Sequence, residues 1–302
     1  MVINHQFAGI TVQTRSDVLI RYLVGRAFGK FLVSCDKPDI SCRINQFNPN
    51  SLNLSPLVAE ETECLTRSIG FPKEWLAKSV LRFQEVRNIL RECTGHPDWV
   101  HVDPRWNRVI IRDYATNVLD ILYPSERIED FAGPLFEAGY RNLLAAFMPN
   151  FSSVLIHGAG LLRNNMATLF LAADEGGKTS VVDLADGAAV LSDDNLILRR
   201  VNEVITAYGT PFGARTSGPQ KAKLGGIFLL EKSAHFDLTP VKASGILQFL
   251  WHEHMHLWFV LPKSLRLRAF NLLYDACHQA PCYRMRFPKD YVDWDAIDAA
   301  MK

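Results

Sequence analysis

Hydrophobic and polar positions change period several times along the chain, and each period marks an element. β-rich runs at 10–14, 31–34 and 40–44 are separated by Gly, Asp and Pro, and the last alternates with period two. Three half-buried strands are therefore expected. Between the first two, Val18, Leu19, Tyr22 and Leu23 recur at helical spacing, which predicts a short helix over 17–25, and the Asn/Ser/Pro-rich 48–56 reads as a loop. Residues 72–93 form the clearest helix of the first half. Pro72 suits the first turn, Trp75, Leu76, Val80, Phe83, Val86, Ile89 and Leu90 make one apolar face, and Gly95-His-Pro97 ends it.

Residues 106–123 read as a hairpin whose strands, 108–112 and 118–123, flank Tyr114-Ala-Thr-Asn117. Pro124 and Ser125 then open a helix with Glu126 and Glu129 in its first turn. Its buried stripe runs through Phe131, Leu135, Phe136, Tyr140, Leu143, Leu144 and Phe147. A domain boundary is placed near Pro124, separating an N-terminal α+β part, 1–124, from a second domain, 125–302. The expected class is α/β with a mixed α+β sheet.

The pattern is most informative over 153–194. An apolar run, 166–173, meets Asp174-Glu-Gly-Gly-Lys-Thr179, and a second apolar run ends in Ser192-Asp193-Asp194. This reads as strand, phosphate-binding loop, short helix and second strand. A loop that wraps phosphate oxygens with backbone N–H groups needs residues without Cβ at the closest approach, which Gly176 and Gly177 supply. Lys178 would reach the outer phosphates and the Thr179 hydroxyl would take a place on Mg²⁺. The helix N-terminus near Lys178 adds the positive end of its dipole. One of the two aspartates can hold the metal and the other take a proton from an attacking hydroxyl. Their strand is expected beside the loop strand, because sequential strands usually neighbour each other. The usual loop pattern has glycine six residues before the lysine, where this chain has Ala172. The plainer alternative is an ordinary Gly-Gly turn with solvated charges.

Farther on, 196–207 continues as strands and 209–218 is a Gly/Pro/Ser/Thr loop containing Arg215. Such a loop beside a nucleotide could act as a lid, with Arg215 neutralising charge on the phosphoryl group; a surface arginine is the plainer reading. Thr239-Pro-Val is expected to open a helix leading into residues 251–258. There His252 and His256 stand one turn apart, a spacing at which two imidazoles can share a metal. No third ligand is identifiable in the sequence, and packing among aromatic neighbours explains these histidines more cheaply. Cys277, His278 and Cys282 are further candidate ligands that nothing in the sequence brings together.

The order His157-Gly158, apolar strand, Gly176-Gly-Lys-Thr179, then apolar strand with Ser192-Asp-Asp194 resembles the catalytic core of the bacterial HPr serine kinase/phosphorylases, related in fold to phosphoenolpyruvate carboxykinase. Tyr208-Gly-Thr-Pro-Phe-Gly213, Leu224-Gly-Gly-Ile-Phe-Leu-Leu-Glu231 and Pro281-Cys-Tyr-Arg-Met-Arg-Phe287 before Trp294-Asp-Ala-Ile-Asp298 are similar to the less characterised HPr-kinase-like proteins. The resemblance spans roughly residues 125 to 302 and implies a nucleotide-binding core behind an N-terminal α+β extension. It implies ATP held by Asp174, Glu175, Gly176, Gly177, Lys178, Thr179 and Ser180, and Mg²⁺ by Thr179 and Asp194. Asp193 would be general base or acid, with His157 near the transferred phosphoryl group and Lys178 and Arg215 completing the catalytic set. The implied activity is phosphorylation of a serine on a small protein or peptide by an assembly of several copies. No signature for docking HPr is found. Asp174 and Glu175 would repel a triphosphate unless they point outward, which motivates the alternative of a nucleotide-binding regulator without phosphoryl transfer.

Composition narrows the partners. With 48% hydrophobic and 22% charged residues over 302 positions the chain is an ordinary globular protein of one or two domains. A net charge of +1 without a basic stripe gives no ground for nucleic acid as a partner. No apolar run reaches the ~18 residues of a membrane span, and the first seven residues lack the apolar core of a secretion signal, so a cytoplasmic protein is expected. Cys35, Cys42, Cys64, Cys93, Cys277 and Cys282 are scattered, which reads as reduced thiols.

Overall fold

The computed structural model describes residues 2–16, 28–47, 100–103, 108–114, 117–124, 141, 145–173, 175–185, 187–254 and 261–302. The helices expected over 17–25 and 72–93, and the body of the helix after Pro124, lie outside the described residues. The chain divides into two compact units, one of residues 1–4, 11–23 and 34–136, the other of residues 5–10, 24–33 and 137–302.

One sheet is built from β1 (Val2–Phe7), β2 (Ile10–Ser16), β3 (Ile40–Phe47), β4 (Val100–Asp103), β5 (Arg108–Asp113) and β6 (Val118–Pro124), in the order β1-β2-β3-β6-β5-β4. Val12 lies opposite Ile40 and Thr14 opposite Cys42, all four buried, so the period-two pattern does place one face inside. The hairpin expected over 106–123 is β5 and β6, antiparallel, with Val109 facing Leu122. Residues 31–34 are not a strand. A 3-10 turn, Phe28–Phe31, precedes a single bridge from Leu32 to His5. The cause is aromatic packing, since Phe31 lies 5.9 Å from Phe7 and Phe28 lies 5.6 Å from Phe212, centroid to centroid. Burying two rings three residues apart suits a tight helical turn better than a pleat.

The second sheet comprises β7 (Ser153–His157), β8 (Ala159–Arg163), β9 (Met166–Leu171), β10 (Ala189–Ser192), β11 (Asn195–Val201), β12 (Val204–Tyr208), β13 (Lys221–Lys232), β14 (Asp237–Pro240) and β15 (Cys282–Phe287). Its main path is β10-β8-β9-β13-β12-β11-β7, with β15 parallel to β13 and β14 on β15. The two ends of this path are joined through the chain. β7 runs through Gly158 into β8, and β10 runs through Asp193-Asp194 into β11. Asn195 faces His157 and Ser192 faces Gly160, after a register shift between Val190 and Ser192, and the Gly158 N–H donates to the Asp194 carbonyl at 2.8 Å. These four strands are therefore one bent antiparallel ribbon.

β9 and β13 are parallel and central, so both of their faces are apolar. Helix α1 (Lys178–Leu184) lays Val181 and Val182 on the face made by Ala159, Leu161, Phe170, Phe228, Met285 and Phe287. Helix α2 (Ala243–Phe249) begins later than expected, because Thr239 and Pro240 pair with Arg284 and Tyr283 as the end of β14. At that edge the missing proline N–H costs no ladder bond. Helix α3 (Lys263–Gln279) buries Leu265, Ala269, Leu272, Leu273, Ala276 and Cys277 at helical spacing and packs on β7, β12 and β13. Helix α4 (Trp294–Ala300) is capped by the Asp293 carboxylate, which accepts the Ala296 N–H. No helix among the described residues is long and apolar enough to cross a membrane.

Candidate active site

The connection from β9 to α1 is six residues, 172–177. It turns sharply because Glu175 (φ 58°) and Gly177 (φ 103°) are both left-handed. The Gly176 N–H donates to the Ala173 carbonyl at 2.9 Å, which closes the turn. Its glycines are needed by the protein itself: a Cβ on Gly176 would lie 2.6 Å from the Ala172 Cβ, and one on Gly177 2.8 Å from the Phe287 ring. The Lys178 ammonium donates to the Ala172 carbonyl at 2.9 Å and stands 3.4 Å from that of Ala173, so it lies across the start of the loop. Glu175 and Thr179 are exposed, and Ser180 is half-buried. Asp174 lies outside the described residues.

The strand that ends in the two aspartates is not the neighbour of β9. β10 pairs with β8, one strand removed, because the ribbon of β7, β8, β10 and β11 must stay in register. Ala159 faces Phe170, next to the exit of β9, and Gly158 is bonded to Asp194. The carboxylates therefore sit at the loop end of the sheet, roughly two strand spacings, ~10 Å, across it.

Ser192 shapes their turn. Its buried hydroxyl accepts from the N–H groups of Asp194 and Asn195, at 3.3 and 3.2 Å, and donates to the Phe212 carbonyl at 2.8 Å. Asp194 makes a local ion-pair centre. Its Oδ1 is 3.0 Å from His157 Nδ1, and its Oδ2 accepts from Arg141 and from the Asn195 side chain. Asp193 accepts the Arg215 backbone N–H at 3.1 Å. Burial pushes its pKa above the ordinary carboxylate value; backbone donors oppose the shift and the charge of Asp194 adds to it.

The 209–218 segment is pinned rather than loose. Ser217 and Thr216 bond to Val190 and Leu191 of β10, and the Lys30 ammonium donates to the Thr216 carbonyl at 2.8 Å. Phe212 packs 6.1 Å from Phe7. Gly213 (φ 115°) passes so close that a Cβ would lie 2.3 Å from Asp193 Oδ1. The Arg215 side chain is half exposed and its guanidinium pairs with Asp183 of α1. One residue thus touches both the aspartate turn and the helix that follows the loop.

Among the predicted site residues, Lys178 belongs with the loop, Asp194 with His157, and Arg215 with Asp193. Arg141, Asp183 and Gly213 were not foreseen. A lone arginine, an aspartate on an exposed helix face and a loop glycine carry no local signal. Chemically the set is amides, an ammonium, hydroxyls and carboxylates, which suits phosphate oxygens and a hard cation. Among the described residues no three His, Cys, Asp or Glu side chains gather as a metal cage. His252 is exposed on a π-type turn, Leu250–His254, rather than on a regular helix, and His256 lies outside the described residues. Cys35, Cys277 and Cys282 are free thiols. Cys277 and Cys282 meet where α3 gives way to β15, Cys282 Sγ lying 3.6 Å from the Cys277 carbonyl, while His278 turns back to the Tyr274 carbonyl.

No protein-family model matches the chain, and no curated protein shows significant similarity to it.

Proposed function

We propose that the chain is an ATP- and Mg²⁺-dependent phosphotransferase that carries the terminal phosphoryl group to a hydroxyl, a serine of a small protein or peptide. The observation that carries this reading is the junction of loop, helix and aspartate turn: Lys178 lies on the loop carbonyls, and Arg215 links Asp183 of α1 to Asp193. In phosphoryl transfer a protein contributes positioning and charge neutralisation more than covalent chemistry. Bound Mg²⁺ would neutralise phosphate charge, held by Thr179 and Asp194. Lys178 exchanges carbonyl acceptors for charged phosphate oxygens, a stronger bond. Asp193, whose raised pKa suits it to proton transfer, takes the proton of the attacking hydroxyl. Arg215 and His157 stand beside that turn to meet developing charge. The choice of serine, and of an assembly of several copies, rests on the resemblance to the HPr kinases.

A second reading is a nucleotide-binding regulator without phosphoryl transfer. It is favoured by Asp194, both of whose oxygens already have protein partners, and by Ala172 at the first loop position. Incubation with labelled ATP, Mg²⁺ and candidate peptides or small proteins separates the two. Label transfer that is lost in Lys178→Ala and Asp193→Asn supports the kinase. Thermal stabilisation by ATP without transfer supports the regulator, since a ligand bound only to the folded state raises the melting temperature. Neither effect in the intact chain removes both.

A further inference from the structure

The strands β11, β12 and β13 carry a second cationic group of residues away from the aspartate turn. Register places Tyr208 opposite both Ile197 and Lys221, and Thr206 opposite both Arg199 and Lys223. Side chains two apart on a strand share a face, so Arg199, Tyr208 and Lys221 stand on the same side of the sheet. Arg200, the next residue along β11, is paired with Asp275 of α3. Lys223, opposite Thr206, is a third cation of the first face, but only Arg199 and Lys221 of the three also line a cavity.

A cavity of about 530 Å³ opens there, its wall including Gly9, Arg199, Arg200, Asn202, Tyr208 and Lys221 and no Asp or Glu. The size falls in the range of small-molecule sites. The Lys221 ammonium lies 5.9 Å from the Tyr208 ring centroid, an interaction that holds a cation without cancelling its charge. Arg199 donates to the Ala8 carbonyl in the β1–β2 turn, and its Nε has no hydrogen-bond partner among the described residues. The turn is fitted to the arginine: a Cβ on Gly9 would lie 2.9 Å from a guanidinium nitrogen. Two cations facing a shared cavity with no carboxylate between them favour an anion as their counter-charge.

We propose that this cavity binds a small multivalent oxyanion, a phosphate monoester or a compact polycarboxylate, between the Arg199 guanidinium and the Lys221 ammonium with Tyr208 as a wall. The site is separate from the loop at Gly176–Thr179 and does not depend on the nucleotide reading. Calorimetric titration of the full chain with glycerol 3-phosphate and with citrate tests it. Saturable binding of either probe is expected, weakened about tenfold or more by Lys221→Gln and by Arg199→Gln, as the loss of one charge-assisted contact implies, and unchanged by Lys178→Ala. Which probe binds tells phosphate from carboxylate. Lys221 is exposed, so its variant should fold and decide the matter even if Arg199→Gln does not. Binding that survives Lys221→Gln undiminished, binding that disappears with Lys178→Ala, or no binding of either probe overturns the proposal.

Discussion

Asp193 accepts a hydrogen bond from the backbone N–H of Arg215 at 3.1 Å, so a carboxylate whose pKa is raised by burial is held by the same residue that reaches α1. The raised pKa fixes a sign. As pH rises from the ordinary value of 3.8, the unfolded chain loses this proton before the folded one, so stability falls until the folded carboxyl ionises and then levels off. Asp193→Asn removes that loss while its amide oxygen can still accept the Arg215 N–H. The variant should therefore melt higher than the parent at neutral pH, with the difference closing below the carboxylate range, and should transfer no phosphate. Melting curves across pH read the first, and labelled ATP the second.

Gly177 ends the loop in a left-handed conformation against Phe287. Gly177→Ala is expected to destabilise by about 1–2 kcal/mol from the backbone conformation alone, plus a steric share from the ring 2.8 Å from the new Cβ. Phe287→Leu in the same chain should return only the steric share. A denaturant double-mutant cycle showing no coupling between the two positions would contradict the packing described.

How much of this was legible beforehand varied with how local the cause was. Strand, loop and helix from Met166 to Leu184 could be read, because apolar runs, paired glycines and the Val181-Val182 face are local signals. The hairpin of β5 and β6 was legible for the same reason. The strand expected at 31–34 failed because Phe28 and Phe31 answer to Phe7 and Phe212, a packing partnership far apart in sequence. The place of β10 was missed because register with β7, β8 and β11 outweighs the tendency of consecutive strands to pair. Arg141 and Asp183 could not be found at all, since each acquires its partner only through tertiary packing.

Arg163 and Asp298 form a two-pronged pair at 2.9 and 2.8 Å that ties α4 to β8. Arg163 also lies 4.6 Å from the Trp294 ring centroid, and Trp294 donates to the Leu184 carbonyl at the end of α1. Hydrogen bonding from Arg163 holds the Asp298 carboxyl below its ordinary value. The folded pKa is the lower one, so this stabilisation is present above about pH 4 and is lost as pH falls through the folded value. Asp298→Asn should cost about 1–2 kcal/mol at neutral pH, allowing for partial exposure. The cost should vanish in acid, and a pH-independent deficit would point to packing instead.

Asp194 decides between the two functional readings. Its Oδ2 is shared by Arg141 and Asn195, and its Oδ1 faces His157. A divalent cation must compete with that guanidinium for the same carboxylate, and removing a neighbouring positive charge lowers the cost of binding one. If Asp194 is a Mg²⁺ ligand, Arg141→Gln should shift the half-maximal Mg²⁺ concentration for transfer or nucleotide binding downward, by about threefold to tenfold after solvent screening. Asp194→Asn should shift it upward. If instead Asp194 serves only to anchor Arg141 and His157, neither variant moves the Mg²⁺ dependence. Asp194→Asn then appears as a loss of roughly 1–3 kcal/mol in stability, the cost of leaving a largely buried guanidinium without its counter-charge. Magnesium titrations and denaturant melts on the same two variants therefore separate a carboxylate that meets the metal from one that holds the turn.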